Sequence, residues 1–119
     1  MVGFVVILVT SAPYGRENAY GGLYTAIASL ELDLRTVVVL TGDGVYSALK
    51  DQSAEKSLGY PTIGDLFHLL HSRAKIYAES SSLKERGLGK TDLIEFVEPI
   101  EDMELFEVFV KYGEAIITY

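Results

Sequence analysis

Apolar residues run without a break from Phe4 to Val9 and again from Val37 to Leu40. Runs with no polar residue at every second position mark strands buried on both faces, as in the interior of a parallel sheet. Between them the period changes. From Ala19 onward Tyr20, Leu23, Tyr24, Ile27 and Leu30 recur at i, i+3, i+4, i+7 and i+10, which predicts one apolar face of a helix. Pro13, Gly15 and Asn18 break the chain between that strand and that helix.

The alternation continues. Thr41-Gly42-Asp43-Gly44 predicts a turn into a short helix ending at Leu49, and polar residues 50–61, with Gly59 and Pro61, form the longest connection. Thr62-Ile63-Gly64-Asp65 has the form of a helix start, Thr62 as N-cap and Asp65 in the first turn, with Leu66, Phe67, Leu69 and Leu70 as its apolar face. Residues 74–78 predict a third strand. Ser80, Ser81 and Ser82 open a short helix over 83–86, and Gly87 stands where a left-handed stop belongs. A fourth strand is expected over 93–97, ending before Pro99, then a helix over 101–111 stopped at Gly113, and a fifth strand over 115–119. Strands alternating with helices at this spacing imply an α/β fold: a three-layer α/β/α sandwich around a mostly parallel sheet of about five strands. In such sheets ligands and partners meet the loops at the carboxyl ends of strands, here 10–18, 41–44, 79–82 and 98–101.

The length of 119 residues fits one domain spanning 1–119, with no linker, repeat or low-complexity segment. Val2 to Val9 lacks a preceding Lys or Arg and is far shorter than the roughly 18–20 apolar residues that span a bilayer, so no membrane association and a cytoplasmic location are expected. Seventeen Asp and Glu face ten Lys and Arg, for a net charge of -7, which argues against direct nucleic-acid binding. There is no cysteine, so disulfides, thiolate metal sites, iron–sulfur clusters and cysteine nucleophiles are excluded for this sequence. With 49% hydrophobic residues and eight tyrosines, an exposed apolar patch covered by a partner is expected.

Gly42-Asp43-Gly44 after a strand has the setting of a dinucleotide fingerprint, but its third glycine is Ser47 and Asp43 would repel a phosphate; a tight strand-to-helix turn fits better. Gly89-Lys90-Thr91 has no glycine-rich loop upstream, so it is not a phosphate loop. His68 and His71 share a helix face near Asp65, yet no further His or Cys completes a zinc site, and a solvated polar face is the simpler account. No G-x-S-x-G elbow accompanies them. Asp92, Glu95, Glu98, Glu101, Asp102, Glu104 and Glu107 precede the next base, Lys111; a solvated helix flank is preferred over a docking face for a basic partner. Glu79 ends a predicted strand where a helix N-terminus stabilises an anion, and a simple N-cap suffices for it.

Three stretches stand in register along the chain: Ser11-Ala12-Pro13-Tyr14-Gly15 followed by Gly22-Leu23, then Gly42-Asp43-Gly44-Val45, then Ser82-Leu83-Lys84-Glu85-Arg86-Gly87-Leu88. Together they resemble the DsrE/DsrF-like family, most closely its TusC/DsrF branch. The resemblance implies a small α/β subunit of a sulfur relay, in which sulfur travels as a cysteine persulfide toward tRNA wobble-uridine thiolation or sulfur oxidation. It also implies DsrE/TusD-like partner subunits or self-association, as a homo- or hetero-oligomer (trimer or hexamer). The family's cysteine stands eight residues before the glycine of R-G-L, which is Glu79 here. A carboxylate cannot hold sulfane sulfur. The expectation is therefore an accessory, non-catalytic subunit without cofactor or metal, whose site or interface loops contain Tyr14, Gly15, Asp43, Glu79, Ser80, Ser81 and Arg86. The alternatives are a homo-oligomeric small-molecule binder of the same fold, or, least supported, an enzyme using Glu79 or Asp43 as general base.

Overall fold

The computed structural model describes residues 4–10, 18–49, 63–70, 73–112 and 115–119. Strand β1 (Phe4–Val9) leads to helix α1 (Asn18–Glu31), β2 (Arg35–Leu40), a 3-10 helix η1 (Gly42–Ala48) and α2 (Ile63–Leu70). Then follow β3 (Lys75–Glu79), α3 (Ser80–Glu85), a second 3-10 turn η2 (Lys90–Asp92), β4 (Glu98–Ile100), α4 (Asp102–Tyr112) and β5 (Ala115–Thr118). The strands form one sheet in the order β4-β3-β2-β1-β5, every neighbouring pair parallel. The chain thus steps from β1 to β4 in one direction and returns across the sheet to place β5 beside β1.

That return explains the layers. Parallel crossovers are almost always right-handed, so connections running in opposite directions lie on opposite faces of the sheet. On one face, Leu23, Ala26 and Leu30 of α1, Leu66, Phe67 and Leu70 of α2, Val45 and Ala48 of η1, and Leu83 of α3 close over Val5, Ile7, Val9, Val38 and Leu40. On the other face, among the described residues, α4 is the one helix, with Leu105 and Val108 packed on Val6, Val37, Val39 and Ile100. The unbroken apolar runs belong to β1 and β2 because these strands lie inside the sheet with helices above and below. Phe67, fully buried, and its equally buried neighbours Leu66 and Leu70 each contribute about 1.5–3 kcal/mol through removal from water.

The expected fourth strand over 93–97 is not one. Leu93 and Val97 are buried, but in an irregular segment beneath η1, where the Ile94 N–H donates to the Ala48 carbonyl at 2.8 Å and Leu93 bridges Leu49. The strand is instead Glu98–Ile100, with Pro99 inside it. Among the described residues β4 pairs only with β3, and an edge strand tolerates a residue without an N–H. It follows that most of 98–101 is strand and only Glu101 lies beyond it. The short helix after β2 is of the tighter 3-10 kind, and the last helix is shifted by one residue to 102–112. Thr62, His71 and Gly113 lie outside the described residues, as do Tyr14 and Gly15. Among the described residues no helix is long and apolar enough to cross a membrane.

Candidate functional site

The carboxyl ends of β2 and β3 lie side by side, with Leu40 paired to Ala78. After β2 the chain turns at Gly42, whose φ of +53° lies in the left-handed region. Gly44 then passes so close to β1 that a Cβ there would lie 2.0 Å from the Val9 carbonyl oxygen. The turn is held by the Thr41 N–H on the Val9 carbonyl at 3.0 Å and by the Gly44 N–H on the Thr41 carbonyl at 2.8 Å. Position 44 has no room for a side chain and position 42 takes the left-handed φ that favours glycine, which accounts for Gly42-Asp43-Gly44 without a nucleotide.

After β3, helix α3 starts at once with Ser80. Glu79 occupies the N-cap position, but its carboxylate does not cap the helix backbone as the sequence suggested. It accepts the hydroxyl proton of Ser82, one turn into α3, while the Gly42 N–H donates to the same Ser82 oxygen at 2.9 Å. A backbone cap would need the carboxylate over the first N–H groups; the buried Ser82 hydroxyl offers a nearer donor. The helix closes as expected at Gly87, φ +69°, with the Leu88 N–H on the Leu83 carbonyl at 2.9 Å and the Gly87 N–H on the Lys84 carbonyl at 3.1 Å.

A second tether joins the same two loops. Arg86 donates from Nη2 (2.9 Å) and Nε (3.2 Å) to Asp43 Oδ1, and from Nη1 to the Ser82 carbonyl at 3.0 Å. Its guanidinium also lies 5.9 Å from the centre of the Tyr46 ring. The hydrogen bond that Arg86 donates to Asp43 is the main cause that raises the Arg86 pKa above its already high ordinary value. Asp43, Glu79 and Arg86, three of the sequence candidates, thus meet in one patch with Ser82, while Ser80 is buried and Ser81 points outward to Asp102 Oδ1 at 3.4 Å. Ser82 stands in the sequence as a helix opener and as the first residue of the Ser82-Leu83-Lys84-Glu85-Arg86-Gly87-Leu88 stretch, but not among the candidate site residues. Its i, i+3 spacing from Glu79 was the available signal.

The patch can position charge and hold two loops together. Among the described residues no group of three or more His, Cys, Asp and Glu side chains could hold a metal ion. His68 is exposed and its ring meets Phe96 edge-on at 5.3 Å between centres.

Comparison with known proteins places this architecture. The chain is 33% identical over 112 residues to the intracellular sulfur oxidation protein DsrF of Allochromatium vinosum, covering 88% of this chain and 76% of that protein. It is 30% identical over 100 residues to a TusC homologue of Vibrio vulnificus, covering 82% and 84%. The crystal structure of the ychN protein of E. coli superposes with a TM-score of 0.88 at 26% identity, over 99% of this chain and 100% of that one. The model of the DsrE/DsrF-like family matches residues 4–119. A match of that extent, with relatives named DsrF and TusC homologue, means that the chain belongs to the DsrE/DsrF-like family, in its TusC/DsrF branch.

Proposed function

We propose that this chain is an accessory, non-catalytic subunit of a cytoplasmic sulfur-relay complex serving sulfur oxidation or tRNA thiolation. It would associate with DsrE/TusD-like subunits that bear the persulfide cysteine. The observation that carries this reading is Glu79. It stands at the end of β3, where the family resemblance sets the cysteine, in a sequence with no cysteine at all. Persulfide transfer is attack by a thiolate on sulfane sulfur, and a carboxylate offers no sulfur to receive or release. What Glu79 does offer is an acceptor that holds the Ser82 hydroxyl and, through it, the turn at Gly42. The loops carrying Tyr14, Gly15, Asp43, Glu79, Ser80, Ser81 and Arg86 would then serve association, not catalysis. Kinship with a sulfur oxidation protein supports the sulfur context.

The test is reconstitution with the cysteine-bearing DsrE-like subunit from the same genome. The two should form one complex in a measurement of intact mass. A persulfide donor should label the partner alone, and onward transfer should slow when this chain is omitted. A chain that ignores that subunit and purifies as a homo-oligomer with a small molecule would replace this reading with the binding-protein alternative.

A further inference from the structure

Helix α4 is apolar on two opposite sides. Leu105 and Val108 face the sheet, whereas Met103, Phe106 and Val110, spaced i, i+3 and i+7, face away and are 77%, 64% and 71% exposed. Three large apolar side chains in a row on a solvent face resemble the centre of an interface. Their surroundings are acidic. Glu98, Glu101, Asp102, Glu104 and Glu107 are all exposed, and the ion pairs among the described residues, Arg73–Asp33, Arg86–Asp43 and Arg86–Glu85, involve none of them. Lys111, the cation at the far end of the helix, lies 5.3 Å from the centre of the Tyr112 ring. Beside the ridge, between α4 and β4, runs an open groove of about 380 Å³ whose lining includes Tyr77, Tyr112, Lys111 and the carboxylates Glu98, Glu104 and Glu107, so its acids outnumber its one cation three to one. Carboxylates and aromatic rings together suit an ammonium or guanidinium group.

A second copy of this chain would bring the same acids to the same seam, each copy already carrying a net charge of -7. We propose that the outer face of α4 docks a different protein, one that presents an apolar groove rimmed by Lys or Arg. Met103, Phe106 and Val110 would enter that groove while a basic side chain of the partner enters the cleft between Glu98, Glu104 and Glu107. The inference rests on the accessory-subunit reading for its probe, the cysteine-bearing DsrE-like subunit of the same genome.

That subunit is titrated calorimetrically against the wild-type chain, Phe106→Ser, the double variant Glu104→Lys with Glu107→Lys, and Leu69→Ser as an equally exposed apolar control on α2. Circular dichroism checks that each variant folds; the exposure of Phe106 and Leu69 predicts unchanged melting there. The double lysine variant should melt somewhat lower, because Glu104 sits in the first turn of α4 and accepts the Glu101 N–H at 3.4 Å. The proposal expects binding about tenfold weaker or worse for both α4 variants, none lost for Leu69→Ser, and weaker wild-type binding at about 500 mM than at about 50 mM salt. Equal binding by all four proteins overturns the docking face and leaves the accessory reading standing. No binding by the wild type overturns both. A wild-type chain that dimerises alone and becomes monomeric on Phe106→Ser shows a second copy on this face and overturns the choice of partner.

Discussion

Arg86 and Asp43, 43 residues apart, meet in a forked hydrogen bond in which Nε and Nη2 both donate to the one oxygen Oδ1. The contact joins the turn after β2 to the end of α3 and so holds together the two loops on either side of Glu79. Near it, the Gly42 N–H and the Glu79 carboxylate share the Ser82 hydroxyl. The patch is therefore one mechanical unit assembled from two distant pieces of chain.

Replacing Asp43 with Asn should lower the melting temperature modestly, since Asp43 is largely exposed while Arg86 is mostly covered. The loss should shrink as salt rises. The arginine pKa is raised in the folded state, so its contribution is present below the unfolded pKa and disappears only as pH rises through the folded one. Both lie in the strongly alkaline range. The difference in melting between wild type and Asp43→Asn should thus stay flat from about pH 7 to about pH 10. A steady fall across that window would assign the stabilisation to another group.

Ser82→Ala should cost about 1–3 kcal/mol in urea unfolding, because it strips the Gly42 N–H and the Glu79 carboxylate of their shared partner. Ser81→Ala, at an exposed hydroxyl with a long contact to Asp102, should change stability by less than about 0.5 kcal/mol. Similar losses at both positions would contradict the role given to Ser82.

Two glycines should fail for different reasons. Gly87→Val should cost about 1 kcal/mol or more through its left-handed φ alone, since a Cβ there meets nothing, and Gly87→Asn should recover part of it. Gly44→Ala should cost about 3 kcal/mol or more, because its Cβ would collide with the β1 backbone. Thermal and urea unfolding of the three variants would separate strain from collision.

Glu79→Cys asks whether the frame still suits a thiolate. With Ser82 positioned to donate, the new thiol should titrate below the free value of about 8.5 and react with a thiol reagent at neutral pH faster than a Glu104→Cys thiol on exposed α4. Adding Ser82→Ala should remove part of that advantage. Equal or slower labelling of Glu79→Cys would mean that the loop offers no special support to sulfur.

Much of the fold was legible in the order of residues. Continuous apolar runs marked β1 and β2 because interior strands of a parallel sheet must bury both faces. The 3.6-residue period marked α1, and Gly87 marked the stop of α3. The position of Glu79 was legible too, through its spacing from Gly87. Residues 93–97 were misread because an apolar run encodes burial, not pairing: Leu93 and Val97 are buried beneath η1 while the sheet edge went to Glu98–Ile100.

Other features depended on contacts between distant segments. No local pattern says that Arg86 reaches Asp43, or that the Gly42 N–H reaches the Ser82 hydroxyl, since each of these bonds spans the β2–β3 crossover. The same holds for α4. Its residues offer two apolar stripes, 105 with 108 and 103 with 106 and 110, and helical periodicity gives neither priority. Sheet topology decided between them: β5 returns to the far side of β1, so α4 must cross the face opposite to α1, α2 and α3. Among the described residues no further helix lies beside it, so the stripe against the sheet is covered and Met103, Phe106 and Val110 are left exposed.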